Sequence, residues 1–210
     1  MLLALDTSTA WASVALYDGQ QVLSETTWLA GREHSTRLLI EVQAALERLG
    51  QPVQHLAGLV VALGPGSFTG VRVGLSVAKG IAAGLALPVW GVSSLDVLAH
   101  AAGETDLPVR AVLEAGRGRY ATALYAHERL AEPARLATLE QLVALAAQPV
   151  LVIGELTLDA RERLAQQQSA RVAPPAACLR RAGFLAELGW QMAQRGEPGD
   201  ARLLDAVYIS

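Results

Sequence analysis

Leu59-Val60-Val61-Ala62-Leu63-Gly64-Pro65-Gly66-Ser67-Phe68-Thr69-Gly70 is the stretch from which the rest of the chain is read. Five apolar residues in a row, bounded by glycines, have the length and the lack of alternation expected of a strand buried on both faces of a sheet. The glycine-rich segment leads into a helix predicted from about Val71 to Ala86. A short strand at Pro88 to Val92 and a helix from about Ser94 to Ala102 follow. Strand, loop, helix, strand and helix in that order indicate an α/β class.

Upstream, Leu2 to Leu5, Ala12 to Tyr17 and Gln21 to Trp28 read as three strands of a meander, the last two separated by the turn pair Asp18-Gly19. Leu38, Leu39, Val42, Ala45, Leu46 and Leu49 recur at helical spacing, which predicts an amphipathic helix over His34 to Leu49 closed by Gly50 and Pro52. Downstream, the composition turns polar at Gly103-Glu104-Thr105-Asp106, and the pattern restarts after Pro108. Strands are expected at Val109 to Leu113, Tyr120 to Tyr125 and Val150 to Ile153, with helices at Leu139 to Ala147, Leu158 to Gln168 and Arg180 to Arg195. Arg171 to Pro175 reads as a loop, and Asp205 to Ser210 show no usable pattern. The expected organisation is an N-terminal lobe of residues 1–103 and a smaller lobe of residues 104–210, with mixed sheets flanked by helices.

The chain has 210 residues, 52% hydrophobic and 18% charged, enough apolar material for a sizeable core. The apolar stretch Val71 to Val92 is broken by Arg72, Lys79, four glycines and Pro88, so it reads as buried helix and strand rather than as a membrane span. No basic residue precedes the apolar start Met1-Leu2-Leu3, and Asp6 follows at once; a cytoplasmic protein is expected. Cys178 is the one cysteine, which rules out an internal disulfide and a thiolate cluster for zinc. A net charge of -3 and a pI near 5.8 lack the basic footprint of a protein that grips nucleic acid alone.

Three segments could carry chemistry. Leu5-Asp6-Thr7-Ser8-Thr9 ends a strand in a carboxylate and three hydroxyls, which suits either a metal-phosphate site or an ordinary tight turn. Gly64 to Gly70 could cradle an anion on backbone N–H groups, or its glycines could simply serve the strand-to-helix connection; without Gly-Lys-Ser/Thr it is no Walker A loop. Gly31-Arg32-Glu33-His34-Ser35 suits a helix cap. Gly74, Gly80 and Gly84 within the second helix each cost about 1 kcal/mol relative to alanine, which close approach of another backbone could offset. His34, His55, His100 and His127 are not spaced as helical metal pairs, so no metal is expected. Nor is there a Gly-x-Ser-x-Gly elbow, and nucleophilic catalysis has no support.

Taken in order, Asp6-Thr7-Ser8, Arg32-Glu33-His34-Ser35, Gly64-Pro65-Gly66-Ser67-Phe68-Thr69-Gly70-Val71-Arg72-Val73-Gly74, Lys79-Gly80 and Gly91-Val92-Ser93-Ser94-Leu95 closely resemble the TsaB (YeaZ-like) family. The resemblance runs through the first hundred residues. It implies a two-lobed actin, Hsp70 and sugar-kinase-like (ribonuclease H-like) fold. It also implies a non-catalytic role beside TsaD, the paralogue that forms N6-threonylcarbamoyladenosine next to the anticodon of tRNAs reading codons that start with A.

Ser94 and Leu98 fall where TsaD-like sequences carry their metal-binding histidine pair, so the resemblance implies no such metal here. It further implies a partner or homodimer surface on two N-lobe helices, assigned to Arg32, Glu33, His34, Ser35, Leu38, Val71, Arg72, Gly74, Leu75, Ala78 and Lys79. Asp6, Thr7, Ser8, Gly64, Gly66, Ser67, Thr69 and Gly70 are then vestigial phosphate-loop residues. ATP is expected on TsaD and the partner ATPase TsaE, no cofactor on this chain beyond weak ATP or ADP, and tRNA only through the complex. Glu114-Ala115-Gly116-Arg117-Gly118-Arg119-Tyr120 departs from the family's Asp-Ala-Arg and Glu-Val-Tyr pattern, which weakens any inference about the second lobe. The rival expectation is a small-molecule kinase or ATPase that holds Mg-ATP on Asp6 and the 64–70 loop.

Overall fold

The computed structural model describes residues 1–31, 34–127 and 129–209, and of His34 and Ser35 only the backbone. The chain forms two compact units, Met1–Ser94 with Arg181–Val207, and Leu95–Arg180 with Tyr208–Ser210.

In the first unit, β1 (Leu2–Asp6), β2 (Trp11–Tyr17) and β3 (Val22–Leu29) form the expected antiparallel meander. Strands β4 (Gly58–Ala62) and β5 (Val89–Val92) extend it in parallel from β1, giving the order β3-β2-β1-β4-β5. Helices α1 (His34–Arg48) and α2 (Phe68–Leu85) cover one face. Leu3, Leu5, Leu59 and Val61 meet Leu38, Val42, Leu75 and Ala78 there in one apolar cluster. Their alternation with Leu2, Ala4 and Val60 is the period of two that splits a buried strand between two faces.

The second face of that sheet is covered by α6 (Ala182–Gln194), from the far end of the chain. Gly189 lies so close to the sheet that a Cβ there would stand 2.2 Å from the Val60 side chain. The N-terminus of α6 has no side-chain cap of its own. The sheet supplies one instead: Ala182 N donates to Ser13 Oγ at 2.9 Å, Gly183 N donates to Glu25 Oε1 at 2.7 Å, and Arg181 pairs with Glu25. The tail beyond α6 then binds the β5 side of the unit, with Gly199 O accepting from Val89 N, Glu197 O from Trp90 Nε1, and Leu63 O from Val207 N. A division of the chain at 103/104 therefore does not describe this architecture. Residues 181–207 belong with the N-terminal unit, because a sheet buried on both faces needs a second layer and α6 is that layer.

In the second unit, β6 (Val109–Glu114), β7 (Arg119–Ala126) and β8 (Arg129–Thr138) form another antiparallel meander, joined in parallel by β9 (Val150–Gly154) and β10 (Ala170–Val172). The order β10-β9-β6-β7-β8 repeats that of the first unit, strand for strand. Leu95 and Leu98 of α3 (Ser94–Ala101) join Val109, Ala111 and Leu113 in one cluster. Leu142 and Leu164, from α4 (Leu139–Leu145) and α5 (Leu158–Ala165), join Val112 and Val152 in another. Strand β8 has no counterpart among the expected strands, and β10 overlaps the start of the segment Arg171 to Pro175 expected to be a loop.

Candidate functional site

The Asp6 to Ser8 turn, the 64–70 loop and the start of α3 meet in the first unit as a hydrogen-bonded knot. Asp6 Oδ1 accepts from both Ser8 N at 2.8 Å and Ser8 Oγ at 2.6 Å, the pattern of an Asx turn. Ser94 Oγ donates to Ser8 Oγ at 2.9 Å, and Ser94 N donates to Gly64 O. Ser8 O accepts from Ser67 N at 2.6 Å, while Thr7 Oγ1 donates to Gly70 O at 2.7 Å. Asp6, Thr7, Ser8 and Ser94 are all buried, none more than 2% exposed.

The glycines of the loop are explained by this knot. A Cβ at Gly66 would stand 1.9 Å from Ser8 O, one at Gly70 2.1 Å from Thr7 O, and one at Gly74 2.5 Å from Thr7 Oγ1. Gly64 has φ +91°, which favours glycine outright. At the head of α2, Ser67 is the N-cap, its side chain accepting from Gly70 N. The predicted phosphate-loop residues thus converge, and the side chains of Asp6, Thr7, Ser8 and Ser67 bond within the knot; Ser67 and Thr69 alone among them are exposed.

The residues assigned to a partner surface divide differently. Arg32 and Glu33 lie outside the described residues, and the side chains of His34 and Ser35 are not described. Leu38, Val71, Gly74, Leu75 and Ala78 are buried in the unit's own core, so they are not surface residues. Leu38 lies on the inner face of α1, and Val71, Gly74, Leu75 and Ala78 on the inner face of α2, so the residues that the resemblance assigned to a partner surface face the core instead. Lys79 donates through Nζ to Leu204 O at 2.8 Å and holds the unit's own tail.

Arg72 is exposed, and its guanidinium lies 3.7 Å from the centroid of the Phe68 ring, itself 56% exposed. Leu39 and Ile40 of α1 are likewise exposed large apolar residues. The sequence reading missed Phe68, which sits inside the glycine motif, and Ile40, which falls off the core stripe; an apolar residue off the buried face of an amphipathic helix is the signal that marks it.

Among the described residues no three His, Cys, Asp or Glu side chains come together as metal ligands, and no helix is long and apolar enough to cross a membrane. Ser94 belongs to the knot, and Leu98 is fully buried in the second unit's core. That unit has a partly buried polar pair, in which Tyr125 donates its hydroxyl to Asp96 Oδ1 at 2.6 Å. Burial holds the Asp96 carboxyl above its usual range, the tyrosine bond partly opposing it. Burial, then the Asp96 charge, raise the Tyr125 phenol.

A family model described as TsaD, tRNA N6-adenosine threonylcarbamoyltransferase, matches residues 27–187. A Pseudomonas aeruginosa crystal structure, described as an uncharacterized protein with similarity to peptidase YEAZ, superimposes with a TM-score of 0.83 at 30% identity over 100% of this chain and 99% of that one.

The chain belongs to the TsaB/YeaZ family.

The Bacillus subtilis tRNA threonylcarbamoyladenosine biosynthesis protein TsaB is 36% identical over 127 residues, 60% of this chain and 56% of that protein. The Escherichia coli K12 TsaB is 43% identical over 101 residues, 48% of this chain and 43% of that protein. The match thus spans about half the length of these TsaB relatives. At the level of fold alone, component A of the Acidaminococcus fermentans (R)-2-hydroxyglutaryl-CoA dehydratase and the Thermus thermophilus ROK hexokinase align with TM-scores of 0.59 and 0.51. The fold is that of the actin, Hsp70 and sugar-kinase group, with its two mixed sheets.

Proposed function

We propose that this TsaB-family chain is a non-catalytic subunit that supports a TsaD-type transferase in forming N6-threonylcarbamoyladenosine beside the anticodon of tRNAs reading codons that start with A. The observation that carries this reading is the knot. The carboxylate and hydroxyls that an ATP-using relative would turn towards metal and phosphate are buried here and bonded to one another. Recruiting Ser8 to a ligand would break its bonds to Asp6 and Ser94 first. Nucleotide and tRNA are therefore assigned to the partners, TsaD with the ATPase TsaE, in a cytoplasmic complex. The chain itself needs no cofactor, and any ATP or ADP binding is weak.

The docking surface for TsaD is assigned to the outward residues of α1 and α2, with Phe68, Arg72, Leu39 and Ile40 at its centre. Apolar residues accompanied by an arginine have the composition of an interface core. The same surface pairs two copies of the chain when TsaD is absent. The test mixes the purified chain with TsaD of the same source and follows mass by light scattering, with Arg72→Glu in parallel. A one-to-one complex weakened at least tenfold in the variant, on the scale of a ~1.4 kcal/mol interface loss, is expected. Hydrolysis of ATP by the chain alone, with no complex, would instead indicate a kinase or ATPase.

A further inference from the structure

We propose that the Asp6-Thr7-Ser8 turn acts as a clamp that fixes the first turns of α2 for partner recognition, with Thr7 its positioning residue. The inference rests on the reading of α2 as the partner-facing helix. What it adds is a working role for the segment that looks like an abandoned phosphate site.

The clamp has three points of attachment along one short stretch of chain. Ser8 O receives Ser67 N, the backbone of the α2 N-cap residue. One turn on, Thr7 Oγ1 reaches Gly70 O. At the next turn Gly74 lies against Thr7 Oγ1, within 2.5 Å of where its Cβ would be. Gly70 and Gly74 lie one turn apart on α2 and Gly66 stands just before its cap, so the chain is bare wherever it meets the turn. The turn in its own right is held by Asp6 and by Ser94, from the head of another helix.

The opposite side of those same turns carries Phe68 and Arg72, stacked and exposed. Helix ends fray, and a glycine-rich start frays more readily than most. An exposed pair on such a start meets a partner in one geometry only if something fixes the backbone beneath it, and ordering it on binding would otherwise weaken the complex. Thr7 ties those turns to the β1–β2 turn beneath the pair, since Gly70, whose N–H the Ser67 cap holds and whose carbonyl Thr7 holds, lies midway between residues 68 and 72.

The test compares Thr7→Val, which keeps the shape and deletes the hydroxyl, with Thr7→Ser, which keeps the hydroxyl, in the full chain. Affinity for TsaD and amide hydrogen exchange are both measured. Thr7→Val is expected to bind TsaD roughly three- to tenfold more weakly, the scale of one lost hydrogen bond. It is also expected to exchange faster at amides 68–75, with protection in α6 unchanged, and Thr7→Ser is expected to restore both. Wild-type exchange at 68–75 in Thr7→Val would overturn the clamp. So would an equal loss of protection in α6, because the effect would then be general destabilisation. Faster exchange at 68–75 with unchanged affinity, in a system where Arg72→Glu abolishes binding, would overturn the recognition role alone. Full binding by Arg72→Glu would instead mark the failure of the underlying surface assignment and remove the recognition role with it, while the exchange result would still decide whether Thr7 anchors the helix.

Discussion

Gly74 of α2 lies directly against Thr7 of the β1–β2 turn: a Cβ at position 74 would stand 2.5 Å from Thr7 Oγ1. The neighbour that makes this glycine necessary belongs to the same unit. Alanine at 74 must push Thr7 away from Gly70 O or shift the helix. Overpacking of this kind costs about 1–3 kcal/mol, and the gain in helix propensity returns about 1. Gly74→Ala should therefore lower stability by up to about 2 kcal/mol in urea denaturation. A midpoint raised as for an unhindered glycine would mean that the contact is slack. Because the loss is internal, a change at Gly74 cannot serve as a probe of partner binding.

Gly80 and Gly84 should behave in the opposite way. Both are exposed on α2, and a Cβ at either would meet nothing within 4 Å. Each alanine then removes unfolded-state freedom and adds helix propensity without strain, so Gly80→Ala and Gly84→Ala should each stabilise the chain by about 0.5–1 kcal/mol. Thermal melting checks this directly. A destabilised Gly80→Ala would point to an intrachain contact that the structure does not contain.

Tyr125 and Asp96 give a pH dependence whose sign can be worked out. Burial raises the folded-state pKa of Asp96, so between the unfolded value of about 4 and that raised value the native state holds a proton that the unfolded chain has released. The contribution of this group to stability is full below pH ~4 and is lost as pH rises through the folded pKa. Tyr125→Phe removes the hydroxyl donor, which matters most to the charged carboxylate. Its cost should be about 1–3 kcal/mol at pH 7 and smaller at pH 4, read as the difference between wild-type and variant denaturation curves. Asp96→Asn should flatten the pH dependence while leaving tyrosine an acceptor. A Tyr125→Phe penalty that is the same at both values would contradict the assignment of the proton to Asp96.

The first unit was largely legible because its signals are local. Leu59 to Leu63 announced a two-sided strand, Asp18-Gly19 a hairpin, and the 64–70 glycines a strand-to-helix turn, all of which the structure contains. The knot was legible as a set of residues but not as an object, since a turn that binds phosphate and a turn that binds its neighbours use the same Asp, Thr and Ser. What separates them is the direction of the side chains, which spacing does not carry. β8 escaped because it is an edge strand with exposed residues and Pro133 in its middle, both normal on a sheet edge and both erasing the alternation. Most of the α2 residues assigned to a partner surface fall on its buried face. The apolar positions of α2 recur on that side, and the glycines drew attention there. The repeat of strand order between the two units lies in how the strands connect, which a reading of residue types along the chain does not carry.

The assignment of α6 to the first unit can be tested at Glu25. This residue lies on β3, 158 positions before Gly183, whose N–H it accepts at 2.7 Å, and it also pairs with Arg181. The pair with Arg181 is half open to water, so its share is small. The cap on the α6 N-terminus contributes more, since it satisfies a donor that the helix cannot satisfy internally and places a negative charge at the positive end of the dipole. Glu25→Ala should cost about 1–2 kcal/mol, and Glu25→Gln, which keeps an acceptor but no charge, less than half of that. Hydrogen exchange locates the effect: amides in the first turn of α6 should lose protection in Glu25→Ala before those of β1 or β4. The second face of the first sheet has α6 as its cover, so a chain ending before residue 181 should expose Val60 and its neighbours and fail to give a folded first unit. A stable, cooperatively melting fragment of residues 1–103 would show that the sheet can do without that layer and would restore a boundary in the middle of the sequence.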